Sequence, residues 1–199
     1  MKSVNFLVFF LFTVSVYCQP KYTSYKSSFF KNKEYNIKLS YENEKIYTMY
    51  IDLQSMENSI EGGMVITSEV HQYFLDSLAK VKSKFVEWVE VAKKNNVTEV
   101  SKQMEVDFRA PASYFYMNEK KFYHLGSNLV FLFTVVEGKP NLTIWTQNLI
   151  SSENKYFTNK GFLLVFTSEK EISDFLNIIS IQKVKDFIKK PKTSDLFKK

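Results

Sequence analysis

Asn128-Leu129-Val130-Phe131-Leu132-Phe133-Thr134-Val135-Val136 is the stretch on which the fold turns. Its β-branched and aromatic content favours extended backbone. Side chains alternate across a strand, so Leu129, Phe131, Phe133 and Val135 share one face and Val130, Leu132, Thr134 and Val136 the other. Both faces are apolar and both want cover, which predicts an inner strand rather than an edge. The surrounding pattern predicts an α+β fold. A single antiparallel sheet in meander order has this strand near its middle, covered by a long helix over residues 68–94 and a C-terminal helix over 168–189.

Upstream, Val70, Phe74, Leu78, Val81, Phe85, Trp88 and Ala92 recur at three- and four-residue steps and form one apolar stripe. Ser68 stands where a capping side chain belongs, Glu69 suits the positive end of the dipole, and Asn95 or Asn96 can take the left-handed stop. Such a helix is about 40 Å long at 1.5 Å per residue, enough to cover most of one sheet face. Before it, residues 35–39 and 46–53 alternate as strands, and Gly62-Gly63 breaks the chain ahead of a short apolar strand over 64–67. Residues 19–33 have no clear period and read as a partly ordered leader.

After the helix, Met104, Val106 and Phe108 alternate with polar residues as a strand with one wet face. Asn118-Glu119-Lys120 reads as a hairpin turn, as does Glu137-Gly138-Lys139-Pro140. Residues 161–166 form a last strand. Ser168-Glu169-Lys170-Glu171 matches a capping box at the start of the final helix, which continues past Ser180 or restarts there and ends at Pro191.

The N-terminus reads as an export signal over residues 1–18: Lys2, then an apolar run over 6–16, too short to span a bilayer. Val16 and Cys18 suit a cleavage site, leaving Gln19 as the new N-terminus. Cleavage removes the only cysteine, and with it disulfides, thiolate catalysis and cysteine metal ligands. The alternative is lipidation of Cys18 as a membrane anchor, although Tyr17 sits poorly in a lipoprotein box. Residues 19–190 then form one domain, which buries about 70 % of its unfolded surface at this size. Residues 191–199 form a basic tail. The location expected is secreted, periplasmic or cell envelope, with no transmembrane span in the mature chain.

Net charge is +6, but residues 183–199 carry seven lysines and two aspartates, leaving 19 basic and 19 acidic side chains over residues 19–182. Arg109 is the only arginine, which argues against a nucleic-acid partner, because base reading leans on the guanidinium fork. The chain has no glycine-rich phosphate loop, nucleophile elbow or His-Glu-x-x-His, so no cofactor is expected. Its two histidines, His71 and His124, read as structural rather than metal-binding, without ligand spacing around them.

Two constellations remain. Glu105, Asp107 and Arg109 share one strand face, as an acid pair or polar-ligand clamp would; the ordinary alternative is a solvated face with an ion pair. Tyr114, Phe115, Tyr116, Phe122 and Tyr123 cluster in the first hairpin, with Tyr114 and Tyr116 on one face, where aromatics either pack across strands or make a binding surface able to stack on sugars. Asn96-Val97-Thr98 and Asn141-Leu142-Thr143 match the N-glycosylation pattern, which matters only in a eukaryotic source and arises often by chance in an Asn-rich chain. The function expected is a non-enzymatic exported module that binds a protein or small molecule. The alternative is a hydrolase or small-ligand binder using Glu105, Asp107 and Arg109.

Overall fold

The computed structural model describes residues 20–57 and 60–190. The expected signal over 1–18, the cleavage pair Cys18 and Gln19, and the tail over 191–199 lie outside the described residues. The elements run β1 (Lys21–Ser27), β2 (Lys33–Tyr41), β3 (Tyr47–Asp52), β4 (Gln54–Ser55), β5 (Gly62–Thr67), α1 (Ser68–Lys94), β6 (Val100–Met104), β7 (Ala112–Met117) and β8 (Lys120–His124). Then follow β9 (Val130–Val136), β10 (Lys139–Trp145), β11 (Leu149–Ile150), β12 (Thr158–Asn159), β13 (Phe162–Phe166), α2 (Glu169–Ile178) and α3 (Ile181–Lys189).

The fold is mixed α+β with antiparallel sheets, a long helix and C-terminal helices, as the periodicity predicts. The strands divide into two main sheets, in the order β1-β2-β3-β5-β7-β8 and β4-β13-β10-β9-β6, beside the small pair β11-β12. The division arises at Leu53. β3 belongs to the first sheet, but Gln54 and Ser55 cross to pair with Leu163 and Phe162 of the second. The inner strand around 128–136 is β9, paired with β10 on one side and β6 on the other. Leu129, Phe131, Phe133 and Val135 are buried on its inner face. Its other face is less covered than expected: Leu132 and Thr134 are half-buried and Val136 is exposed.

Helix α1 serves both sheets. Near its start His71 reaches Tyr47 of β3, and further along Phe85 and Trp88 meet Phe133 of β9 edge-on. Helix α2 closes the same core, with Phe175 against Tyr25 and Phe166. One continuous apolar cluster therefore joins both sheets and all three helices.

Four local expectations are corrected. Residues 21–27 form an edge strand rather than a loose leader, because Tyr25 packs on Tyr35, Phe166 and Phe175. Gly62 and Gly63 lie inside β5, in register with β3 and β7, rather than breaking the chain. A Cβ on Gly62 would come within 2.2 Å of the Tyr114 carbonyl oxygen, and one on Gly63 within 1.9 Å of that of Ile51, so close strand approach requires both glycines. Thr67, not Ser68, is the N-cap of α1, and makes no side-chain capping bond. Beyond Met104 the strand β6 gives way to irregular backbone. The C-terminal helix is two pieces, as the restart near Ser180 allows; the Ile179 carbonyl at the break is bonded instead by His71 Nε2 at 2.7 Å.

Candidate binding site

The inward side chains of the first sheet, among them Ile37, Leu39, Met49, Ile51, Met64 and Phe115, are fully buried. Lys38, Tyr50, Asp52, Tyr116, Lys121 and Tyr123 point the other way and are half-exposed. That alternation identifies a face open to solvent. Register gathers its polar and aromatic groups. Tyr114 stands opposite Tyr123 and Tyr116 opposite Lys121 across the β7–β8 hairpin. The turn residues Asn118 and Glu119 both adopt positive φ, the combination that matches strand twist and fixes this pairing.

The Lys121 side chain lies across the tyrosines. Its Nζ is 3.9 Å from the Tyr50 ring centre, 4.5 Å from Tyr114, 5.4 Å from Tyr123 and 5.9 Å from Tyr116. All four fall within the range in which ring faces attract a cation. Among the described residues the ammonium has no hydrogen-bond or ion-pair partner. Burial, and then the charge of Lys38, draw its pKa down to about 8, with Asp52 opposing. The ring faces also favour the charged form, so Lys121 stays mostly cationic at pH 7.

Tyr114 is the hub and is only 2 % exposed. Its hydroxyl donates to Asp52, which also pairs with Lys38 at 3.3 Å. Asp52 is in register with Gly63, and Gly63 with Tyr114, so this bond spans a position without a side chain. Burial, then the Asp52 charge, push the Tyr114 phenol far above its ordinary value. The Tyr114 ring meets Tyr50 and Tyr116 edge-on at 5.7 and 6.0 Å.

A cleft of about 440 Å³ opens beside the cluster. Asp52, Tyr114 and Tyr116 line it, and Gln54, Glu57 and Glu61 are among its other lining residues. Aromatic and hydrogen-bonding groups thus converge on one concave surface.

Of the residues singled out from sequence, Tyr114, Tyr116 and Tyr123 come together here. Glu105, Asp107 and Arg109 do not join them. All three are exposed, lie outside regular strand, and make no ion pair among the described residues. Asp107 contributes its backbone oxygen to Ser77 Oγ at 3.1 Å, and the Arg109 guanidinium lies 5.7 Å from the Tyr73 ring centre. The expected row on one strand face fails because β6 stops at Met104.

Sequence reading missed Tyr50, Asp52, Lys38 and Lys121. The first two were visible as the wet side of the alternating stretch over 46–53, but nothing local tied them to the hairpin. His71 is buried between the Tyr47 hydroxyl and the Ile179 carbonyl at 2.7 Å each, and burial lowers its pKa. His124 Nδ1 lies 3.1 Å from the Ile150 backbone nitrogen. Among the described residues no group of three His, Cys, Asp or Glu is placed to hold a metal, and no helix is long and apolar enough to cross a membrane. Comparison with family models, curated proteins and solved structures gives no match.

Proposed function

We propose that the chain is an exported, non-enzymatic binding module of the cell envelope, periplasm or extracellular space, and that it holds a hydroxyl-rich ligand on the open face of the first sheet. The observation that carries this reading is the convergence of Lys121, Tyr50, Tyr114, Tyr116 and Tyr123 beside the cleft. Sugar-like ligands both donate and accept hydrogen bonds and present an apolar ring face. The cleft supplies carboxylate and amide acceptors, Lys121 supplies donors, and the half-exposed Tyr116 ring offers a stacking surface. Export rests on the sequence of residues 1–18. No observation favours the hydrolase alternative, since Glu105, Asp107 and Arg109 line no part of this cleft.

The test is calorimetric titration with β-1,4-linked hexasaccharides of glucose and of N-acetylglucosamine. One of them is expected to bind, and Tyr116→Ala to weaken that binding at least tenfold, about 1.4 kcal/mol, with the fold retained. Absence of binding by both sugars, or unchanged affinity in the variant, overturns the ligand class.

A further inference from the structure

The chain carries two tripeptides of the N-glycosylation pattern, and the fold treats them in opposite ways. Asn141 sits in β10 opposite Thr134 of β9 and is 6 % exposed. Its Nδ2 donates to the Lys139 carbonyl at 3.1 Å. A sugar on that nitrogen would have to enter the packed sheet.

Asn96 follows the C-terminus of α1 in a left-handed conformation, φ +52°, and is exposed. The backbone around it is pinned: Val97 N–H donates to the Ala92 carbonyl at 2.9 Å, and Gly138 N–H donates to the Thr98 carbonyl at 3.0 Å. The Asn96 side chain itself has no hydrogen-bond partner among the described residues. Both Asn96 and Thr98 line a groove of about 360 Å³, together with Val89, Val97, Val135 and Pro140. Thr98, the hydroxyl residue of the tripeptide, is also exposed.

We infer that Asn96, and not Asn141, is an N-glycosylation acceptor whose innermost N-acetylglucosamine packs into the adjoining groove. The donor is a lipid-linked oligosaccharide diphosphate. The Asn96 amide nitrogen forms a bond to the anomeric carbon, the carbon–oxygen bond to the diphosphate breaks, the diphosphate leaves with the electron pair, and the amide proton passes to a base of the transferase. The apolar lining of the groove, Val89, Val97, Val135 and Pro140, suits a sugar's ring face and N-acetyl methyl, and Asn96 is itself one of the lining residues. This inference rests on the export reading and, within it, on a eukaryotic secretory compartment, because the modification occurs only on a chain that enters one.

The experiment secretes the full chain from a eukaryotic cell line in two forms, one with its own residues 1–18 and one with an unrelated, established leader in their place. Site occupancy is read as the mass shift on peptide-N-glycosidase treatment in ¹⁸O water. With the unrelated leader, a single occupied site at Asn96 is expected, lost in Asn96→Gln and in Thr98→Ala and kept in Asn141→Gln. Removing the glycan from the folded protein is expected to lower Tm by about 2–4 °C. Secreted, folded protein that is unmodified at Asn96, or that carries sugar at Asn141, overturns the assignment. An unchanged Tm overturns the packing of the sugar in the groove. Failure with the native leader alone overturns export and leaves Asn96 standing as an acceptor.

Discussion

At the scale of single residues, the polar groups inside the core are held by specific partners rather than tolerated. His71 is fully buried, flanked by the Tyr47 hydroxyl and the Ile179 carbonyl. The carbonyl can only accept, so Nε2 carries a proton; in the neutral ring that burial favours, Nδ1 then accepts from the Tyr47 hydroxyl. Burial lowers its pKa from the ordinary 6.5. Between the lowered value and 6.5 the unfolded chain binds more protons than the folded one, so stability rises with pH there and is lost as pH falls below 6.5. A His71→Gln variant should show a shallower loss of Tm over that interval, and the His71 ring should not titrate near 6.5 by NMR. A normal titration of His71 at 6.5 would contradict this. Gly63 gives a steric prediction. A Cβ 1.9 Å from the Ile51 oxygen meets backbone that cannot rotate away. Gly63→Ala should therefore cost about 3 kcal/mol in chemical denaturation, at the upper end of overpacking penalties; a cost under about 1 kcal/mol would show that β3 and β5 can separate freely.

At the scale of elements, local rules did most of the work. The stripe from Val70 to Ala92 defines α1, whose observed ends are Ser68 and Lys94. Both two-residue hairpin turns were legible from their sequence because their backbone requirement is local. The capping box at α2 is present in altered form. Ser168 Oγ accepts from Glu171 N–H at 3.2 Å, but the Glu171 carboxylate turns to Thr167 N–H at 2.7 Å and Ser28 N–H at 3.2 Å. One side chain thus ties α2 to the β1–β2 turn, a contact 143 residues apart in sequence and invisible to a local rule. Ser168→Ala should cost about 1 kcal/mol of stability, measured by chemical denaturation, as loss of an N-cap usually does. No measurable loss would mean that Glu171 alone holds that end.

At the scale of the whole molecule, the sequence announces an antiparallel α+β fold but not its division into two sheets. Alternation marks each strand; it does not say which strands pair. The crossing from β3 to β4 depends on two residues, Gln54 and Ser55, whose partners lie in β13. The same limit hid the full aromatic and charged cluster. Tyr114, Tyr116 and Tyr123 were legible as a group because one hairpin holds them. Tyr50, Asp52 and Lys38 join them only through the order of the whole first sheet. Glu105, Asp107 and Arg109 stand apart from that cluster because they follow β6, which belongs to the second sheet. Where a ligand touches the protein is therefore the deciding question. The direct measurement is a two-dimensional NMR titration of the isotope-labelled chain with whichever hexasaccharide binds. Shifts should concentrate on Tyr50, Tyr114, Tyr116, Lys121 and Tyr123 on the open face of the first sheet. Shifts centred instead on residues 105–109, with the tyrosine face silent, would contradict it.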